Sequence, residues 1–315
     1  MKTQFVNALQ DGDTLNDYFV AVRKDLREKK DGGKFLGMVL KDKTGEIGGV
    51  MWRNAVETAN QFELGDVVNV RGKVATYQQR LQVQLDQVLA LRENEYTLDD
   101  LVNQPFDASK DLAGLRDILG TIENPFLKQL VDAFFADADF VEQFARASAA
   151  KKWHHEFAGG LVRHCYEMAR IAETMCELYP DVSRDLLLTG VFIHDIGKLT
   201  EMSHGLYSDY TDAGRLLGHL QIGCDMVTEK IQTIPDFPEH LRLELLHFVL
   251  SHHGEEQFGS PVKPKTLEAI VLHLIDNLDA QAAAVSRIAR ETREQGKAWS
   301  DYQSLIERVI WARQA

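Results

Sequence analysis

The run Ile193-His194-Asp195-Ile196-Gly197-Lys198 limits what this chain can fold into more than any other stretch. It closes an apolar segment, Leu186-Leu187-Leu188-Thr189-Gly190-Val191-Phe192, which reads as a buried helix with Gly197 as its stop. An imidazole and a carboxylate side by side at the end of a buried helix lose their hydration. Left unsatisfied, they cost on the order of several kcal/mol. A metal ion is the obvious compensator, so the fold must bring further ligands to this point.

Candidates stand at helix-like positions on either side of the run. His164 lies in the opening of a helix over Gly160 to Ala169, whose apolar residues recur at helical spacing. His219 lies within Arg215 to Gly223. His252 and His253 close a helix (Leu245 to Ser251) that Gly254 terminates, and Asp276 sits in an otherwise apolar helix from Ala269 to Leu278. One such residue would carry no information. The set, in the order His, His-Asp, His, His-His, Asp, is a strong signal.

Over residues 150 to 290 this order, with its HD-x-GK core, resembles the HD-domain metal-dependent phosphohydrolases. The resemblance implies a bundle of helices whose inner faces hold one or two divalent ions. Carried over by position, it implies His164, His194, Asp195 and Asp276 around the first ion. His219 with His252, His253 or both would hold the second, and Asp195 would bridge the two. Imidazoles and carboxylates without a thiolate suit Mn²⁺, Fe²⁺, Co²⁺ or Ni²⁺, with Mg²⁺ also compatible. Two such ions would share a water or hydroxide of lowered pKa that attacks phosphorus in line. Lys198 is placed either to stabilise charge on phosphoryl oxygens or to pair with Asp195 or Glu201. His155, ahead of Gly159-Gly160, is a candidate to touch the scissile phosphate or protonate the leaving oxygen. Those glycines could let backbone approach a ligand. His154 reads as structural. His204, His240 and His247 have no place in the ligand order, and His273 is a weak candidate to support a ligand from behind.

Charge decides how a polyanionic partner could be held. The net charge is −13. Through Glu95 the Lys+Arg and Asp+Glu counts balance at 14 each, so the remainder carries all of the excess. An acidic body disfavours broad, non-specific binding to duplex DNA, which leaves a local patch as the grip. The N-terminus lacks the apolar stretch of a signal peptide, and no run approaches the ~18 residues of a membrane helix. The three cysteines, Cys165, Cys176 and Cys224, form no CxxC pair. They read as small buried hydrophobes in a reducing cytoplasm.

Residues 15 to 92 read as about five short antiparallel strands. Tyr18 to Val22, Phe35 to Leu40, Ile47 to Trp52, Val67 to Val74 and Leu81 to Val88 carry them, the last alternating strictly. Their count and the fourth element GDVVNVRGKV look like an OB-fold. The first connection, Arg23 to Lys34, reads as a basic, glycine-bearing loop, either gripping single strands or solvated. Trp52, Phe35 and Tyr77 are candidates to stack on bases, with Arg53, Arg71 and Arg80 for phosphates. Each aromatic has barrel core as its bland alternative. Thr97 to Leu101 resembles the capping-box start of a helix, and Asn124-Pro125 begins another. The Phe126, Leu130, Phe134, Phe135 stripe reads as packing.

The expected architecture is multi-domain α+β. It comprises an N-terminal OB-like β-barrel over residues 1–95, a helical connector over 96–150 and an all-α HD-domain helical bundle over 151–315. That order of modules resembles the YhaM-type 3′→5′ exoribonucleases over nearly the whole chain. The stretches Lys152 to His164, Ser251-His252-His253-Gly254 and Leu272 to Asp279 are similar to its motifs. The resemblance implies Mn²⁺-favoured hydrolysis of single-stranded RNA, and of single-stranded DNA as a further substrate, from the 3′ end. Tyr207, Asp209 and Tyr210 lie in a polar segment that either reads the terminal nucleotide or simply connects. Trp299, Tyr302 and Trp311 are candidates for a homo-oligomer surface. The competing reading is a phosphohydrolase of nucleotides or cyclic dinucleotides with a regulatory OB module. Against the cyclic dinucleotide enzymes, the residues after His253 are Gly254 to Pro261 and contain no GYP run.

Overall fold

The computed structural model describes residues 2–29, 32–102, 107–150, 155–203, 206 and 209–313. The chain divides into two compact units, Met1–Pro105 with Gly205–Ser208, and Phe106–His204 with Asp209–Ala315.

In the first unit five strands close into a barrel: β1 (Thr14–Glu28), β2 (Lys34–Asp42), β3 (Gly45–Met51), β4 (Val67–Tyr77) and β5 (Arg80–Ala90). Their order around the barrel is β1-β2-β3-β5-β4. All neighbours are antiparallel except β3 and β5, which pair in parallel from Gly48↔Gln82 to Val50↔Gln84. Period-2 alternation turns Leu15, Phe19, Leu36, Met38, Leu40, Val68, Val70, Val83 and Leu85 inward to make one core. The short helix α1 (Ala55–Ala59) packs Ala55 and Ala59 onto it. This is the five-stranded OB architecture. The segment before β1 is tied down by acids: Asp17 accepts from the amides of Thr3 and Gln4, and Asp42 from that of Val6.

Two expectations for this unit are corrected. The basic stretch from Arg23 is not a loop: β1 continues to Glu28, paired residue by residue with β2 from Arg23↔Val39 to Glu28↔Lys34. The ladder satisfies the backbone while the charges find partners outside it, Arg23 and Arg27 on Asp25 and Lys24 on Glu63. Thr97 starts no α-helix either. Leu98–Asp100 is a single 3₁₀ turn without a side-chain cap, and Asp100 instead accepts from the Tyr18 hydroxyl at 2.6 Å.

The second unit is helical: α2 (Ser109–Leu119), α3 (Pro125–Phe135), α4 (Ala138–Arg146), α5 (Gly160–Leu178), α6 (Arg184–Ile193), α7 (Lys198–Glu201), α8 (Asp212–Gln232), α9 (Glu239–Ser251) and α10 (Leu267–Glu294). Every residue of α6 from Leu186 to Ile193 is buried, so this helix is the axis of the unit. Phe134, Phe140 and Phe144 present ring edges to Phe192 at 5.7 to 6.0 Å. Asn124 caps α3, its Oδ1 accepting from the amides of Phe126 and Leu127. The chain is therefore α+β and multi-domain, a closed barrel followed by a helical bundle. Among the described residues no helix is long and apolar enough to cross a membrane.

Gly197 does not stop α6. The helix ends at Ile193, and Gly197 sits at φ −60, within the right-handed region. Its missing side chain serves close approach: a Cβ there would lie 2.0 Å from the His219 carbonyl oxygen and 2.7 Å from the Gly223 amide. The glycine lets α8 pass close against the start of α7. Near the C-terminus, Trp299, Tyr302 and Trp311 are more than half exposed, and the two tryptophan rings pair at 6.4 Å.

Candidate metal centre and nucleic-acid surface

The buried end of α6 sets the centre. His194 follows its last residue, and Asp195 comes next; both are buried. Around the first side, His164 of α5 brings Nε2 to 3.3 Å from His194 Nε2 and 3.2 Å from Asp276 Oδ1 of α10. Asp195 Oδ2 is 3.3 Å from His194 Nε2. On the other side, Asp195 Oδ1 lies 3.4 Å from His252 Nε2 and 3.7 Å from His219 Nε2. The His253 ring packs against those of His252 and His219. Two clusters result, His164–His194–Asp276 and His219–His252–His253, each with ligand atoms within 4.8 Å of one another. A third grouping, His194–Asp195–His252, spans the gap between them. The histidines and aspartates picked out by their order in the sequence are thus brought to one place.

The opposite nitrogen of each ring shows which way the rings work. His194 Nδ1 donates to the Val191 carbonyl at 2.9 Å, and His252 Nδ1 to that of Val249 at 3.0 Å. A carbonyl only accepts, so both are Nδ1–H tautomers with the Nε2 lone pair turned inward. His164 Nδ1 faces Asp279 Oδ2 at 2.7 Å and His219 Nδ1 faces Glu201 Oε1 at 2.9 Å, which sets the same sense. Asp195 Oδ1, His219 Nε2, His252 Nε2 and His253 Nδ1 are buried without a hydrogen-bond partner. Buried polar atoms with no partner are costly, about 1–3 kcal/mol for each group. A divalent cation between Asp195 Oδ1, His219 Nε2 and His252 Nε2 would satisfy those three, and the nitrogen and oxygen donor set fits one. The neighbouring Cys165 thiol is pushed well up by burial and stays a thiol.

Electrostatics agree with that fit. Burial works against the Asp195 carboxylate, yet Lys198 and His194 hold it far below its ordinary range. Burial, with His252 and His219 alongside, pushes His253 down to about 3, and burial lowers His252 as well, leaving neutral imidazoles. Burial would also lower His164, but hydrogen bonds to Asp276 and Asp279 overcome it and raise it to about 9. Two carboxylates around one ring call for a positive charge there, which either a proton or a metal supplies.

Lys198 takes the ion-pair option, its Nζ 2.5 Å from Asp195 Oδ2. His155 is placed differently from expectation. Its Nε2 meets Asp279 Oδ2 at 2.9 Å, on the Nδ1 side of His164 and away from the inward lone pairs. At Gly160 a Cβ would lie 1.9 Å from the His155 carbonyl oxygen, so the space there belongs to the chain itself. His273 Nδ1 donates to the His252 carbonyl at 2.7 Å, holding that backbone from behind. Asp279 and Glu201 were missed by sequence reasoning. Asp279 shares a face of α10 with Asp276, three residues on, and that spacing was the available signal. Glu201 carried none.

On the barrel, Phe35 and Trp52 stand together, ring centroids 4.9 Å apart, with Trp52 half exposed and Lys29 donating to its carbonyl at 2.7 Å. Arg53 is exposed beside them. Tyr77 and Arg80 flank the Gln78-Gln79 turn, both exposed. The register β3–β5 separates the two groups. Trp52 lies beyond Val50↔Gln84, whereas Arg80 lies on the far side of Gly48↔Gln82. Arg71 is committed to Asn16 at 3.1 Å. In the helical unit Tyr210 bridges Met202 and has Arg215 over its ring at 5.9 Å. Tyr207 and His204 lie outside the described residues, as does His154.

Residues 161–281 match the family model of the HD domain, and residues 20–91 match that of an OB-fold nucleic acid binding domain. The barrel is also similar to solved single modules. The second OB-fold domain of replication protein A from Methanococcus maripaludis is 24% identical over 31% of this chain and 99% of its own, at a TM-score of 0.24. The replication factor A related protein from Methanobacterium thermoautotrophicum is 19% identical over 30% and 96%, at 0.27. The SSB domain of a Synechococcus protein is 18% identical over 26% and 97%, at 0.23. At these scores the likenesses describe those proteins and add nothing to the assignment. The two family matches do: this chain joins an OB-fold nucleic acid binding domain to an HD domain, the module of metal-dependent phosphohydrolases.

Proposed function

We propose that this protein is a metal-dependent 3′→5′ exonuclease that hydrolyses phosphodiester bonds of single-stranded RNA, and of single-stranded DNA as a second substrate. The observation that carries the reading is Asp195. One buried carboxylate presents its two oxygens to two histidine clusters, and the inward nitrogens of the second have no donor. That arrangement supports a pair of divalent ions, Mn²⁺ first among the candidates, with His164, His194 and Asp276 on one side and His219, His252 and His253 on the other. Ions so held would stabilise charge on a phosphoryl group and lower the pKa of water. Lys198 adds a positive charge beside Asp195 and keeps that carboxylate ionised and oriented. The OB module supplies the single-strand grip, with Trp52 and Phe35 as a stacking platform. The polarity and the preference for RNA are supported by the order of modules and by the resemblance to the YhaM-type enzymes.

The test incubates purified protein with Mn²⁺ and 5′-labelled single-stranded RNA, beside an Asp195→Ala variant. A ladder shortening from the 3′ end, absent in the variant, is the expected result. Intact RNA together with hydrolysis of mononucleotides or cyclic dinucleotides would replace this reading with that of a small-molecule phosphohydrolase.

A further inference from the structure

We infer that Asp279, clamped by His155, is the positioning residue of the first cluster alone, and that Glu201 does the same for the second. The inference rests on the metal-centre reading and adds a division of labour to it. Asp279 Oδ2 receives His164 Nδ1 at 2.7 Å and His155 Nε2 at 2.9 Å. Glu201 Oε1 receives His219 Nδ1 at 2.9 Å and the His219 amide at 3.0 Å. Each carboxylate therefore holds a histidine of one cluster, and each is itself fixed by a second donor.

The second donors are built deliberately into the chain. His155 sits at φ 46, a left-handed conformation that a non-glycine residue holds only when its surroundings require it. The turn around it is locked. Its carbonyl accepts from the Ala149 amide, Leu161 donates to Ala147, and the space beside that carbonyl exists only because residue 160 is glycine. At the other cluster Gly218 breaks α8 at φ 73 and ψ 158. The break leaves the His219 amide to donate to Glu201. Of the remaining imidazoles, His194 and His252 rely on backbone carbonyls of their own helices. Each cluster thus has one histidine oriented by main chain and one by a carboxylate. A carboxylate partner fixes the tautomer and makes the ring a stronger donor to a metal.

Calorimetric titration of the chelator-treated full chain with Mn²⁺ tests this. Wild type is expected to bind in two steps, one of which His164→Gln abolishes. Asp279→Asn should weaken that same step about 10–100-fold and spare the other. His155→Phe should weaken it in the same direction, and His155→Gln, which keeps a donor, should restore it. Glu201→Gln should weaken only the other step. If Asp279→Asn fails to fold by circular dichroism, His155→Phe and its rescue decide alone. Equal weakening of both steps by either carboxylate variant, or no change in either, overturns the inference. A wild type that binds no Mn²⁺ at all overturns the metal-centre reading instead.

Discussion

Replacing Gly197 by alanine tests the link between backbone packing and the centre. The added Cβ would lie 2.0 Å from the His219 carbonyl oxygen, whereas ordinary contact begins at 3.4 Å, so the two segments must separate by about 1.4 Å. The obstructing atoms are main chain of α8 and cannot rotate away. Overpacking of this kind costs about 1–3 kcal/mol, and a backbone obstruction places Gly197→Ala near the upper end, about 3 kcal/mol. The displacement also falls on a ligand. Metal–nitrogen distances near 2.1 Å tolerate only about 0.2 Å of error, so His219 moved by even half of that separation leaves the second cluster incomplete. Urea unfolding of chelator-treated protein should show the midpoint falling with the slope unchanged. Mn²⁺ titration should lose one of two steps, the one that His164→Gln spares. A variant within about 0.5 kcal/mol of wild type, with both steps intact, would refute the argument that glycine is required there by contact with His219.

Three further outcomes are expected. In chelated protein His164 contributes stability that is full below its ordinary 6.5 and lost as pH rises through about 9, because its folded pKa is raised. That interval corresponds to about 3 kcal/mol, so the stability difference between wild type and His164→Gln should shrink across it in pH-dependent urea melts. Trp52→Ala should weaken binding of single-stranded RNA, measured by fluorescence anisotropy, by about 1–3 kcal/mol. Because Tyr77 lies at the other end of the β3–β5 pairing, Trp52→Ala and Tyr77→Ala should add within about 0.5 kcal/mol in the double variant. Asn124→Ala removes the cap of α3 and should cost about 1 kcal/mol in thermal unfolding without altering Mn²⁺ affinity.

What the sequence made legible follows from how local each signal was. The alternation of Leu81 to Val88 announces a half-buried strand, and the segment is one. The His-Asp pair at the end of an apolar run announces a polar site in a core, and both side chains are buried together. What stayed hidden depends on contacts across the chain. Arg23 to Glu28 looks like a loop by charge because nothing local reveals that β2 will pair with it and that Asp25 will take two arginines. His155 looked like a catalytic group by its place ahead of two glycines, but Asp279, far along the chain, draws its ring behind His164. Gly197 reads as a helix stop because that is what a glycine after a helix most often is. Its real neighbour, His219, is not predictable from adjacent residues.

The burial of α6 on every side has a consequence for how the centre can change. Surface loops drift in sequence without penalty, but His194 and Asp195 inherit their position from a helix that is buried from Leu186 to its end. Amide protons at this helix end are expected to exchange only when the whole bundle opens. A change that repacks α6 therefore moves His194 and Asp195 with it.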